Sequence, residues 1–166
     1  DTGGGDDVVT GNGVEEGILN AATIKTNKGN DTIIGNAFEL GIDNYGLVDT
    51  GKGDDSIAGE GAIGISNSES GEINTGVGND TLIGRLGRSR GLVGIENFGL
   101  IDTDEGHDKI FGEGEEFGIN NNGTITTRGG DDIIEGVFTV DELFFSIGEE
   151  VGIKNAVIID LSLIHI

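Results

Sequence analysis

Six aspartates recur along this 166-residue chain at almost constant spacing: Asp7, Asp31, Asp55, Asp80, Asp108 and Asp132. Successive intervals are 24, 24, 25, 28 and 24 residues. Two residues before each stands a glycine: Gly5, Gly29, Gly53, Gly78, Gly106 and Gly130. Between glycine and aspartate sits Asp6, Asn30, Asp54, Asn79, His107 or Asp131, an oxygen donor in five of the six copies. Carboxylates supply charge and oxygen, and glycines let the backbone bend so that carbonyls converge. Calcium takes six to eight such oxygens in flexible geometry, so these residues in this pattern point to a hard divalent cation.

A period near 24 residues implies one structural unit stacked on itself, and stacking would set equivalent turns about one strand spacing apart, ~4.8 Å. Two carboxylates at that distance repel, and a divalent ion between successive turns would turn repulsion into coordination. Six turns offer five gaps. Five calcium ions would offset ten of the 22 net negative charges, which arise from 31 acidic and 9 basic residues.

The aspartates belong to a nine-residue phrase, Gly-x-Gly-x-Asp-x-(Ile/Leu/Val)-x-Gly, at Gly3–Gly11, Asn27–Gly35, Gly51–Gly59, Gly76–Gly84, Asp104–Gly112 and Arg128–Gly136. A second phrase, roughly Gly-Ile-x-Asn-x-Gly-x-Ile-x-Thr, alternates with it, most clearly at Gly41–Thr50, Gly94–Thr103 and Gly118–Thr127. Gly64–Thr75 carries two extra residues, and a degraded copy runs from Gly152 through Ile159. Apolar positions alternate rather than recur at helical spacing, and many are β-branched, which reads as strand. Ile33, Ile42 and Val48 are the expected inward residues of one unit, and Ile57, Ile65 and Ile73 those of the next. The expected fold is all-β: a parallel β-solenoid of six to seven coils of about 24 residues, each with three short strands. Residues 1–161 form one repeat domain and 162–166 a tail that fits no unit. The chain begins inside a repeat and reads as a fragment of a longer protein.

The acidic balance argues against nucleic acid and anionic membranes, which need a basic face. No apolar run approaches the ~20 residues that span a bilayer, so membrane insertion is not expected. With no cysteine there is neither a disulfide framework nor a thiolate metal site. Glycine at 33 residues without proline or a three-residue period excludes collagen.

The phrases resemble the glycine-rich nonapeptide Gly-Gly-x-Gly-x-Asp-x-U-x of the RTX (haemolysin-type calcium-binding) family. Thr50–Ala58 and Thr75–Ile83 are the closest copies. The resemblance implies calcium held by the aspartates and nearby carbonyls, export in an unfolded state, and folding outside the cell. The remaining domains of a parent protein would be partners, among toxins, proteases, lipases or adhesins. The chain departs from the family by alternating one nonapeptide with about 15 residues of another phrase, so ions would line one edge only. Arg128 puts a positive charge on the sixth turn.

Other readings stand beside this one. Asp and Asn next to Gly are also ordinary turn residues, so the same pattern suits a metal-free solenoid with acidic corners. The Asn column (Asn20, Asn44, Asn67, Asn97, Asn121, Asn155) suits a hydrogen-bonded ladder between layers. The Thr column (Thr2, Thr26, Thr50, Thr75, Thr103, Thr127) closes a strand before each turn; regular Thr on a flat face also suits ice binding. Arg85, Arg88 and Arg90 suit a solvated loop or an acidic glycan. Phe144 and Phe145 suit a cover for the rod's end, and His107 reads as tolerated variation in a turn. Insertions at 85–91 and 137–151 fall in the same connector. The unbroken repeat argues against an enzyme, because an active site breaks repeat symmetry. The alternatives are an adhesin face for a glycan or cell-surface ligand and, more remotely, a polysaccharide-active β-helix.

Overall fold

The computed structural model describes residues 1–88, 91–139, 151–155 and 159–160. Those residues form strands and turns and no helix. Three parallel sheets of six strands run the length of the rod. The first holds β1 (Val8–Asn12), β4 (Thr32–Asn36), β7 (Ser56–Gly61), β10 (Thr81–Leu86), β13 (Lys109–Gly114) and β16 (Ile133–Phe138). The second holds β2 (Glu16–Asn20), β5 (Leu40–Asn44), β8 (Ile63–Asn67), β11 (Val93–Asn97), β14 (Phe117–Asn121) and β17 (Val151–Asn155). The third holds the two- and three-residue strands β3 (Thr23–Lys25), β6 (Leu47–Asp49), β9 (Glu72–Asn74), β12 (Leu100–Asp102), β15 (Thr124–Thr126) and β18 (Ile159–Asp160).

Each strand pairs with its equivalent one layer away, so the chain is a parallel β-solenoid of six layers. The register matches the repeat: Ile33 faces Ile57, Ile42 faces Ile65, and Val48 faces Ile73. The degraded phrase completes the sixth layer rather than opening a seventh, with Ile153 opposite Ile119 and Asn155 opposite Asn121.

A continuous apolar column fills the coil. Ile33, Ile42, Val48, Ile57, Ile65 and Ile73 are all buried, followed by Leu82, Ile95, Ile101, Ile110, Ile119 and Ile125. Fully burying one such side chain contributes roughly 1.5–3 kcal/mol, which is how a rod without a deep centre holds together layer by layer. The first and second sheets meet at glycines. A Cβ at Gly84 would lie 2.0 Å from the Gly94 carbonyl oxygen, so no other residue fits there.

The Asn column forms the expected ladder, buried from Asn20 to Asn121. Asn20 donates to Asn44 Oδ1 at 2.8 Å, Asn44 to Asn67 at 2.8 Å, Asn67 to Asn97 at 2.7 Å, and Asn97 to Asn121 at 2.7 Å. The Thr column faces inward from Thr26 to Thr127 and is fully buried. Ice binding through those five residues is thereby overturned, because their side chains are buried, and Thr2 in the first layer is the one exposed member of the column. Thr50 Oγ instead donates to the Thr75 carbonyl at 3.0 Å. Phe144, Phe145, most of the 137–151 insertion and the 162–166 tail lie outside the described residues.

Candidate functional site

The glycine–aspartate turns stack along one edge. Each opens at a residue in the left-handed region: Gly3, Gly51 and Gly76, but also Asn27, Asp104 and Arg128. Asn and Asp tolerate that conformation, whereas Arg does so rarely. The second glycine of the turn is as constrained. Gly53 has φ 132°, and a Cβ there would lie 2.0 Å from the Gly29 carbonyl oxygen.

The aspartates are drawn into the coil. Asp31, Asp55, Asp80 and Asp108 are only 1–2 % exposed. Their Oδ1 atoms accept from the backbone of the preceding layer. Asp7 N–H donates to Asp31 at 2.8 Å, Asp31 to Asp55 at 2.7 Å, Asp55 to Asp80 at 2.8 Å, Asp80 to Asp108 at 2.9 Å, and Asp108 to Asp132 at 2.9 Å.

The neighbouring column runs the other way. Asn30 N–H donates back to Asp6 at 2.8 Å, Asp54 to Asn30 at 2.9 Å, and Asn79 to Asp54 at 2.8 Å. His107 N–H donates to Asn79 Oδ1 and Asp131 N–H to His107 Nδ1, both at 3.0 Å. Every gap between layers therefore carries two counter-running bonds. They satisfy turn N–H groups that have no strand to pair with. His107 is thus a ladder member whose ring nitrogen stands in for a side-chain oxygen, a role the repeat alignment alone did not reveal.

The second oxygens are left over. Oδ2 of Asp31, Asp55, Asp80 and Asp108 is buried and accepts no hydrogen bond. Burial is the main reason that the carboxyls of Asp55, Asp80 and Asp108 are pushed above the ordinary carboxylate range, Asp80 to about 6. The Thr75 hydroxyl and the Asp55 N–H act against the rise at Asp80, and the charges of Asp55 and Asp108 add to it. Thr75 Oγ lies a long 3.5 Å from the Thr103 carbonyl, and in the first layer the equivalent hydroxyl, that of Thr2, donates to Asp7 Oδ2 at 2.7 Å.

These atoms fit a hard cation in kind: orphaned carboxylate oxygens beside threonine hydroxyls. They limit it in number, since among the described residues no three His, Asp or Glu side chains converge on a point. A cation in one gap would see two carboxylates and draw its other ligands from hydroxyls and turn carbonyls. The outer donors Asp6, Asn30, Asp54, Asn79 and Asp131 are exposed, and each gives or receives a ladder bond.

Arg128 behaves differently from expectation. Its guanidinium reaches back one layer to the carboxylate of Asp102, with Asp104 at 3.6 Å, so its charge is neutralised there. The chain matches no family model, no curated protein and no solved structure.

Proposed function

We propose that this chain is a calcium-binding structural module of a secreted or cell-surface protein, stabilised along the edge that carries Asp7, Asp31, Asp55, Asp80, Asp108 and Asp132. The observation that carries the reading is the column of four buried Oδ2 atoms without a donor. A buried carboxylate oxygen with no partner is costly and asks for a proton or a cation. Calcium, when bound, supplies the positive charge between successive carboxylates. The chain's own part is to hold Oδ1 fixed through the backbone ladder and leave Oδ2 free, with the buried hydroxyls of Thr50, Thr75 and Thr103 alongside. The uniform layers support a structural rather than a catalytic role.

A metal-free solenoid is the second reading, favoured by the counter-running ladders, which already satisfy the turn N–H groups without an ion. Calcium titration followed by circular dichroism and calorimetry separates the two. The calcium reading expects a melting temperature that climbs with calcium and drops in chelator. Identical melting in millimolar calcium and in chelator would establish the metal-free solenoid instead.

A further inference from the structure

Three asparagines head the triplet Asn-x-Ser/Thr with no proline between: Asn30-Asp31-Thr32, Asn79-Asp80-Thr81 and Asn122-Gly123-Thr124. In an exported chain that triplet is the acceptor for an N-linked sugar, provided the asparagine reaches the surface. The buried ladder asparagines Asn20, Asn44, Asn67, Asn97 and Asn121 carry no such triplet. Asn30 and Asn79 are exposed in the turns, and Asn122 is half-buried at its corner.

The chemistry needs the amide nitrogen. Nδ2 bonds to the anomeric carbon of a sugar diphosphate as the bond from that carbon to the diphosphate oxygen breaks. Nδ2 gives up one proton, and the diphosphate leaves. The product is a secondary amide that keeps Oδ1 as an acceptor and one N–H as a donor. A folded site suits this product when it uses Oδ1 and leaves Nδ2 free.

Asn30 meets that condition. Its Oδ1 accepts the Asp54 N–H at 2.9 Å, and its own backbone N–H donates to Asp6 Oδ1 at 2.8 Å. A backbone donor fixes which way the carboxamide faces, so Nδ2 is the atom left over in an exposed side chain. Thr32, which completes the triplet, is half-exposed beside the buried Ile33. The other two asparagines are worse placed. Nδ2 of Asn79 already donates to Asp54 Oδ1 at 3.1 Å, and Nδ2 of Asn122 to Asn120 Oδ1 at 3.2 Å.

We propose that Asn30 is an acceptor for an N-linked sugar, carried on the turn edge without loss of a ladder bond. The proposal rests on the secreted or cell-surface part of the reading above and is independent of calcium.

The test is secretion of the full chain, with a leader and a C-terminal tag bearing one further Asn-x-Thr triplet, from cells whose export route transfers N-linked sugars. Intact mass and peptide mapping, before and after peptide N-glycosidase, read the occupancy of each site. Asn30 should be the most occupied of the three. Thr32→Val, which spares Asn30 and its ladder bond, should abolish the sugar there. The sugar-bearing chain should melt at the same temperature as chain made without the sugar. A bare Asn30 on a secreted chain whose tag is occupied overturns the acceptor. Equal or higher occupancy at Asn79 or Asn122 overturns selection by a free Nδ2, and a lower melting temperature with the sugar overturns its fit to the ladder. A chain that fails to fold after export counts against the extracellular reading, and the proposal falls with it.

Discussion

The backbone N–H of Asp31 donates to Oδ1 of Asp55, one layer on, at 2.7 Å. Through this bond an acidic side chain becomes part of the scaffold before it is a ligand for anything. The aspartate does two jobs with two oxygens, one tied to the neighbouring turn and one unpartnered in the interior.

The two jobs separate by substitution. Asp80→Asn keeps an oxygen for the Asp55 N–H and removes the desolvated charge, whereas Asp80→Ala strands that N–H in the interior. The Asn variant should exceed the Ala variant by about 1–3 kcal/mol in denaturant unfolding with chelator present. It should at least match the parent chain there, and it should lose much of any calcium response.

Acidification should stabilise the metal-free chain. Asp80 titrates near 6 when folded, against an ordinary value of 3.8. Between those values the folded state keeps a proton that the unfolded chain has released, so stability falls as pH rises from 3.8 to 6. The contribution is complete below 3.8, and about 2–3 kcal/mol is forfeited above 6. Melting in chelator should rise between pH 7 and pH 4, with a shallower rise in Asp80→Asn. In calcium the slope should weaken or reverse, because protons compete with the cation for Oδ2.

The asparagine ladder should be the most sensitive polar feature. Asn67 donates to Asn97 Oδ1 and to the carbonyls of Gly71 and Leu100, and accepts from Asn44. Asn67→Ala should cost about 2–4 kcal/mol. Asn20→Ala, in the first described layer, should cost less, because Asn20 bonds to a single neighbouring layer. Equal losses at the two positions would show that the ladder is not additive by contact.

His107 should be replaceable by a residue that keeps an acceptor. His107→Asn should stay within about 0.5 kcal/mol of the parent. His107→Lys, which offers no acceptor to the Asp131 N–H, should cost about 1 kcal/mol, read from thermal melting.

Much of this was legible in the sequence. The spacing of Asp7 to Asp132 set the layer length, and the alternation around Ile33, Ile42 and Val48 picked out the inward positions. The Asn column announced its ladder because an amide repeated at one register has the same neighbour above and below. The direction of the aspartates was hidden: a Gly-x-Asp turn can face solvent, an ion or the next layer's backbone with the same spacing. The Thr column carried no mark to distinguish a buried hydroxyl from an exposed one. Arg128 was read within its own turn, but its side chain is long enough to find its partner, Asp102, in the layer before.

The counter-running ladders also make the layers interchangeable. Each gap asks for the same two acceptors and the same two N–H groups, whichever layers face each other. Excising residues 51–75 would bring Asp31 N–H to Asp80 Oδ1 and Asn44 to Asn97, with no contact type lost. Rod length is therefore a free variable, adjustable in steps of one coil, while the cross-section and the chemistry of its edges stay the same.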